Sequence, residues 1–175
     1  VGGGFTGLST AYHAAKAGKS VALLESRDVM WGASGRNGGM ATTGLAVGFR
    51  DAIKRYGEQR AIGYFREYNA AIDLIENLVA EHDLDVDYAR TGKMTLAYKE
   101  SHWAGLQQSA EALKRLADPP VPLVDRATLR SEIRSAVHSV ATRDPPGARL
   151  HAGTSGHPLS TPPLHARAPR PTRAV

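Results

Sequence analysis

An α/β fold is what this 175-residue chain predicts, and three observations carry the prediction. The chain opens VGGGFTGL, with Gly2, Gly4 and Gly7 in the spacing G-x-G-x-x-G. A helix-compatible run follows, then the apolar stretch SVALLE, whose last residue, Glu25, stands 18 positions beyond Gly7. A second glycine-rich loop, GASGRNGGM, covers residues 32–40. Turn, helix, strand and terminal acid in that order are the signature of a Rossmann-like dinucleotide-binding unit.

Each element has its own physical reason. The first glycine permits the tight turn, the second lets backbone approach a pyrophosphate, and the third allows close helix packing. The helix, expected from Leu8 to Ala17, aims unpaired N–H groups and its dipole at the phosphates, a contribution of about 0.3–1 kcal/mol per charge. Gly18 reads as its stop, and SVALLE as a buried parallel strand. A carboxylate at that strand's tip accepts hydrogen bonds from both ribose hydroxyls and repels a 2′-phosphate, which disfavours NADP. Phe5 and Thr6 fill the variable positions of the turn, and Ser26 and Arg27 follow the acid. With 18 glycines in the chain, a glycine turn alone is weak evidence, and the ordered succession is what gives it weight. The turn does not separate NAD from FAD, since both present an adenosine diphosphate to it. In the second loop, Gly32, Ala33, Gly38, Gly39 and Met40 offer backbone N–H groups. Ser34 and Asn37 add side-chain hydrogen bonds there, and Arg36 a cation for phosphate or carboxylate. Read blandly, the same loop is a mobile surface segment.

Taken together, GGGFTGLSTAYHAAKAGKSVALLE and WGASGRNGGM resemble the D-amino-acid-oxidase-like FAD-dependent oxidoreductases, which include glycine and sarcosine oxidases. The segments are most similar to the branch containing bacterial gamma-glutamylputrescine oxidoreductases. The resemblance implies FAD, with Gly2, Gly4, Phe5, Thr6, Gly7, Glu25, Ser26 and Arg27 around its adenosine half. It also implies that Ala33, Ser34, Asn37, Gly38, Gly39 and Met40 run along the ribityl pyrophosphate to the flavin, with Gly32 and Arg36 in the same loop. Some branches attach flavin through Cys or His; this chain has no Cys, and its loop no His, so a noncovalent FAD is implied. No catalytic residue can be carried over.

Further along, apolar positions at Ile53, Ala61, Phe65, Tyr68, Ile72, Ile75 and Val79 predict a long helical stretch from Arg50 to His82, bent or divided at Gly57 or Gly63. YARTGKMTLAYK predicts a half-buried strand, with Met94, Leu96 and Tyr98 opposite Lys93, Thr95 and Ala97. Ser101 is expected to cap a helix running to Ala117, with Trp103, Leu106, Ala110, Leu113 and Leu116 on one side, and a short helix to follow Asp125. Trp103 reads as core. By the resemblance, GKMTLAY begins an α+β substrate domain.

Three regions are therefore expected: a partial FAD-binding domain with a helical insertion (1–90), the start of a substrate domain (91–142), and a disordered Pro/Arg-rich tail (143–175). The tail holds seven of ten prolines, five Arg and one acid. Removing it reduces the formal net charge from +5 to +1, the balance of an ordinary surface. By the resemblance, an apolar strand should precede the glycines, yet only Val1 does. The expectation is thus an N-terminally truncated, C-terminally aberrant fragment, inactive by itself, with the first strand of the fold missing.

Seven scattered histidines without ligand spacing, and no cysteine, predict no metal site. No run of ~18 apolar residues and no signal peptide are seen, so a cytoplasmic protein without membrane contact is expected. The expected function is oxidation of an amine or amino acid at its CH–NH group by hydride transfer to flavin, with a gamma-glutamylputrescine-like small molecule as the preferred substrate. The alternatives are a NAD-dependent dehydrogenase fragment, or a nonenzymatic fragment whose basic tail contacts nucleic acid. That last contact is not expected, for want of aromatic interleaving or a lysine cluster.

Overall fold

The computed structural model describes residues 1–116, 121–133 and 141–150. By contact, the described residues divide into two compact units, residues 1–39 with 82–87 and Leu150, and residues 40–81 with those of 88–149.

In the first unit the glycine turn runs straight into α1 (Phe5–Lys16), which begins three residues before the expected Leu8 because Gly4 is its N-cap. Leu8, Ala11 and Tyr12 form its buried side. Its C-terminus closes with paired bonds, Gly18 N–H to Ala15 O at 2.9 Å and Lys19 N–H to Ala14 O at 3.0 Å, the αL stop expected at Gly18. The Tyr12 hydroxyl lies 2.7 Å from His82 Nε2, which joins α1 to the short 82–87 segment. SVALLE departs from expectation. Residues 21–25 form no strand and belong to no ladder, and Leu24 and Glu25 are exposed. Their backbone joins the turn through Gly2 N–H to Leu24 O at 2.7 Å, and the Glu25 side chain accepts from Gly3 N–H. A parallel strand is buried only when strands flank it, and among the described residues no strand pairs with 21–25.

The second unit is helical on one side and antiparallel on the other. The expected long helix is two: α2 (Phe49–Tyr56) and α3 (Glu58–Glu81), divided at Gly57, where φ is +83°. Gly63 stays inside α3 without breaking it. Ala61, Phe65, Asn69 and Ile72 are the buried positions of α3, whereas Tyr68 is exposed. Strand β2 (Lys93–Leu96) keeps the predicted alternation through Leu96 and then loses it, since Ala97 is buried and Tyr98 exposed. α4 (Glu100–Leu116) starts before Ser101, so that serine lies within the helix instead of capping it. Asp125 caps α5 (Arg126–Glu132), accepting from Thr128 N–H at 2.8 Å, as expected.

Strand β4 (Ala141–Asp144) is central in a three-stranded antiparallel sheet ordered β2-β4-β3, where β3 is Leu123–Val124. Lys93 lies opposite Asp144, and Leu96 opposite Ala141. β5 (Ala148–Arg149) pairs antiparallel with β1 (Met40–Ala41) and bridges Ala89. The tail expected from Arg143 is thus corrected for residues 143–150, which enter two sheets because neighbouring strands satisfy their backbone. From residue 151 it lies outside the described residues. Two apolar clusters hold this unit: Phe65, Leu113 and Val121 with Phe49, and Val124, Leu129 and Ala141 with Met94, Leu96 and Ile133.

Candidate functional site

The glycine turn, Glu25 and the second loop meet in the first unit. Gly7 sits where a Cβ would come within 1.8 Å of Gly2 O, so the start of α1 can cross the turn only with glycine there. A Cβ on Gly4 would lie 2.8 Å from Ser34 Oγ. In that space Ser34 Oγ instead accepts Phe5 N–H at 3.1 Å, satisfying one of the first-turn amides that α1 leaves open. Phe5 itself is exposed, and the Thr6 carbonyl accepts the Thr10 hydroxyl at 2.8 Å.

Glu25 is bent back onto the turn. Its Oε2 accepts Gly3 N–H at 2.5 Å; its Oε1 accepts Arg27 N–H at 2.9 Å and the Ser26 hydroxyl at 3.3 Å. The bond from Gly3, then that from Arg27, hold its carboxyl below the usual carboxylate range. The group is therefore ionised at neutral pH, and its remaining lone pairs can accept ribose hydroxyls.

The second loop forms a short 3₁₀ turn, Ala33–Gly35, with Gly32 before it and Arg36 after. Asn37 ties it together, donating to Ser34 O at 2.7 Å and Ala33 O at 3.2 Å while its Oδ1 accepts Gly39 N–H at 2.8 Å. Gly39 has φ +65°, and its carbonyl accepts Leu150 N–H at 2.9 Å. Gly38 follows Asn37 in the same loop. Met40 belongs to the second unit, where it pairs with Arg149 in β1 and is exposed.

Three residues escape a reading by motif. Gly3, between the motif glycines, donates to Glu25 and, through its carbonyl, accepts Met30 N–H at 2.9 Å. Met30 is buried at φ +65°, so close to the loop that a Cβ on Gly35 would lie 2.2 Å from its carbonyl oxygen. Trp31, next in sequence, carries the guanidinium carbons of Arg27 and Arg36 at 3.9 and 4.0 Å from its ring centroid. The usable signals were the unbroken GGG run and an aromatic between two arginines. Among the described residues no group of metal-ligating side chains gathers, and no helix is long and apolar enough to cross a membrane. The second unit has a cavity of about 180 Å³, lined by Thr43, Phe49, Tyr64, Phe65, Lys93 and Thr95 among others, none of them a residue of the predicted site.

A glycine turn opening a helix, an ionised acid folded onto it and a serine of a second glycine loop on the first helical amide form a cradle suited to a dinucleotide. Comparison with protein families agrees: the model described as DAO, FAD dependent oxidoreductase, matches residues 1–160. This chain belongs to that family. Among curated members, gamma-glutamylputrescine oxidoreductase of Escherichia coli (strain K12) is 32% identical over 151 residues, which is 86% of this chain and 35% of that protein. The chain thus spans about a third of the length of this relative. Among solved structures, L-amino acid deaminase from Proteus myxofaciens in complex with anthranilate superposes with a TM-score of 0.73 at 20% identity, covering 91% of this chain and 34% of the other. Glycine oxidase from Bacillus cereus ATCC 14579 gives 0.67 at 19% identity, covering 91% and 41%. The family fold is shared, and the family is FAD-dependent.

Proposed function

We propose that this chain supplies the adenosine- and pyrophosphate-binding part of an FAD-dependent oxidoreductase that oxidises a small amine or amino acid at its CH–NH group, in a cytoplasmic location. The observation that carries the proposal is the cradle itself: Glu25 ionised on the Gly3 amide, with Ser34 of the second loop on the first amide of α1. In this reading Glu25 accepts the ribose hydroxyls. The turn Gly2, Gly4, Phe5, Thr6 and Gly7 lies against the phosphates, with Ser26 beside the adenosine and Arg27 between it and the phosphates. Gly32, Ala33, Ser34, Arg36, Asn37, Gly38, Gly39 and Met40 follow the cofactor toward the flavin. Residues 1–90 are then cofactor domain with a helical insertion, and the substrate domain begins at residue 91.

Binding is noncovalent, in keeping with the absence of cysteine from the chain and of histidine from the 32–40 loop. FAD, when bound, supplies the hydride acceptor. The chain's share is to hold the cofactor by backbone N–H groups and an anion at fixed positions. A gamma-glutamylputrescine-like amine is the preferred substrate, supported by the 32% identity to the Escherichia coli enzyme. We further propose that residues 1–175 alone do not turn over substrate, because residues 21–25 form no ladder that would hold the turn's direction.

The test is titration of the purified chain with FAD and NAD, followed by flavin fluorescence and visible absorption. FAD binding without NAD binding supports the cofactor, and extraction of intact FAD by acid precipitation supports the noncovalent attachment. NAD binding to a chain that stays colourless with FAD would overturn both. Anaerobic addition of gamma-glutamylputrescine, glycine, sarcosine and D-alanine then reads flavin bleaching. Bleaching by any of them would overturn the inactivity of the isolated chain, and bleaching by D-alanine alone would overturn the substrate preference as well.

A further inference from the structure

Arg27 and Arg36 come from different parts of the chain, one just after Glu25 and one at the end of the 3₁₀ turn, yet both lie on the Trp31 ring. The backbone explains the meeting. Met30 is fastened on one side to Gly3 O and packed on the other against Gly35, so Trp31 is fixed between the turn and the loop. Both guanidinium carbons lie within 4.0 Å of the one ring centroid. The described ion pairs hold Lys54, Arg90, Arg115 and Arg143; among the described residues neither Arg27 nor Arg36 has a carboxylate partner. Trp31 as a residue is 42% exposed. Two cations are therefore gathered beside the glycine turn, and among the described residues no salt bridge engages their guanidinium groups. An indole face attracts guanidinium through its quadrupole and limits the orientations of the group, which leaves the N–H edges free for a planar-matched oxyanion.

We infer that Trp31 is a positioning residue for phosphate recognition, holding Arg27 and Arg36 against its ring as a paired cationic site for the phosphoanhydride of the bound dinucleotide. The inference rests on the cofactor reading above and extends it to a residue outside the glycine motifs. Trp31 acts through the arginines and touches no reacting atom.

Calorimetric titration with FAD and, separately, with inorganic pyrophosphate tests it, using the wild-type chain, Trp31→Phe, Trp31→Leu and Arg27→Gln/Arg36→Gln with and without Trp31→Leu. Trp31→Leu should weaken both ligands about fivefold at low salt, Trp31→Phe should restore most of the affinity, and the loss should shrink as salt rises. In the double-arginine background Trp31→Leu should change nothing further, an outcome that a merely structural tryptophan would not give. Wild-type affinity in Trp31→Leu, or an equal loss in the double-arginine background, overturns the inference. FAD binding with no dependence on Trp31 overturns it while leaving the cofactor reading standing. Pyrophosphate binding that depends on Trp31, without FAD binding, does the reverse, and binding of neither ligand overturns both. Should Trp31→Leu fail to fold by thermal melting, the double-arginine variant alone decides, and wild-type pyrophosphate affinity there overturns the proposal.

Discussion

Glu25 shows what a single residue contributes and how its charge is maintained. The Gly3 and Arg27 amides depress its carboxyl below the ordinary value, so its folded pKa is lower than its unfolded one. A group shifted in that direction stabilises the native state above the unfolded pKa, and the contribution is lost as pH falls through the folded pKa. Stability should therefore decline on the acid side, below the ordinary glutamate range, and Glu25→Gln should flatten that decline because glutamine has no proton to take up. The same variant should weaken FAD binding at neutral pH while leaving the helix content of α1 intact. Denaturant midpoints from pH 3 to 7 and FAD titration check the two halves; an unchanged acid limb together with unchanged affinity would remove Glu25 from the site. At this scale the sequence was most legible, because Gly4, Gly7 and Glu25 are recognisable by spacing alone. Gly3, Met30 and Trp31 were not, since their roles depend on contacts between residues four to twenty-seven positions apart, such as Arg27 to Trp31 and Gly3 to Met30, that no short motif encodes.

Among the elements, the helical stretch from Phe49 to Glu81 separates two glycines that look alike in sequence. Gly57 stands at φ +83°, where a side chain is strained, and ends α2. Gly63 lies within α3, and a Cβ there would meet nothing within 4 Å. Gly63→Ala should accordingly stabilise the protein by up to about 1 kcal/mol through helix propensity. Gly57→Ala should destabilise it by about 1–3 kcal/mol through backbone strain. Urea denaturation of both variants reads the difference, and equal effects would show that the stretch does not turn on Gly57. Periodicity foresaw the helical stretch, β2 and the capped α5, because local pattern and capping chemistry decide them. It misread SVALLE: five apolar or extended-compatible residues make a strand only where partners supply a ladder, and the described residues supply none. It also ended the ordered chain too early at Arg143, because β4 draws its stability from β2 and β3, segments remote in sequence.

For the whole molecule, binding should be visible as stability. A ligand that binds only the folded chain at about 100 times its Kd adds roughly 2.7 kcal/mol, which for a protein of this size raises the melting temperature by several degrees. FAD at that ratio should therefore shift the thermal transition upward and NAD should not; no shift with FAD at saturating flavin signal would place the flavin on unfolded chain. The overall assignment was determined by sequence alone: an α/β chain of the DAO family, with a glycine turn, an acid 18 residues beyond it and a second glycine loop. These are set locally, because backbone turns, helix starts and ribose-binding acids demand particular residues at particular spacings. Tertiary structure alone decided that Ser34 reaches the first amide of α1, that Met30 is clamped between turn and loop, and that Arg27 and Arg36 share one indole. Those are meetings of distant segments, and their geometry follows from where packed backbone carries each side chain, which no local pattern of residues specifies.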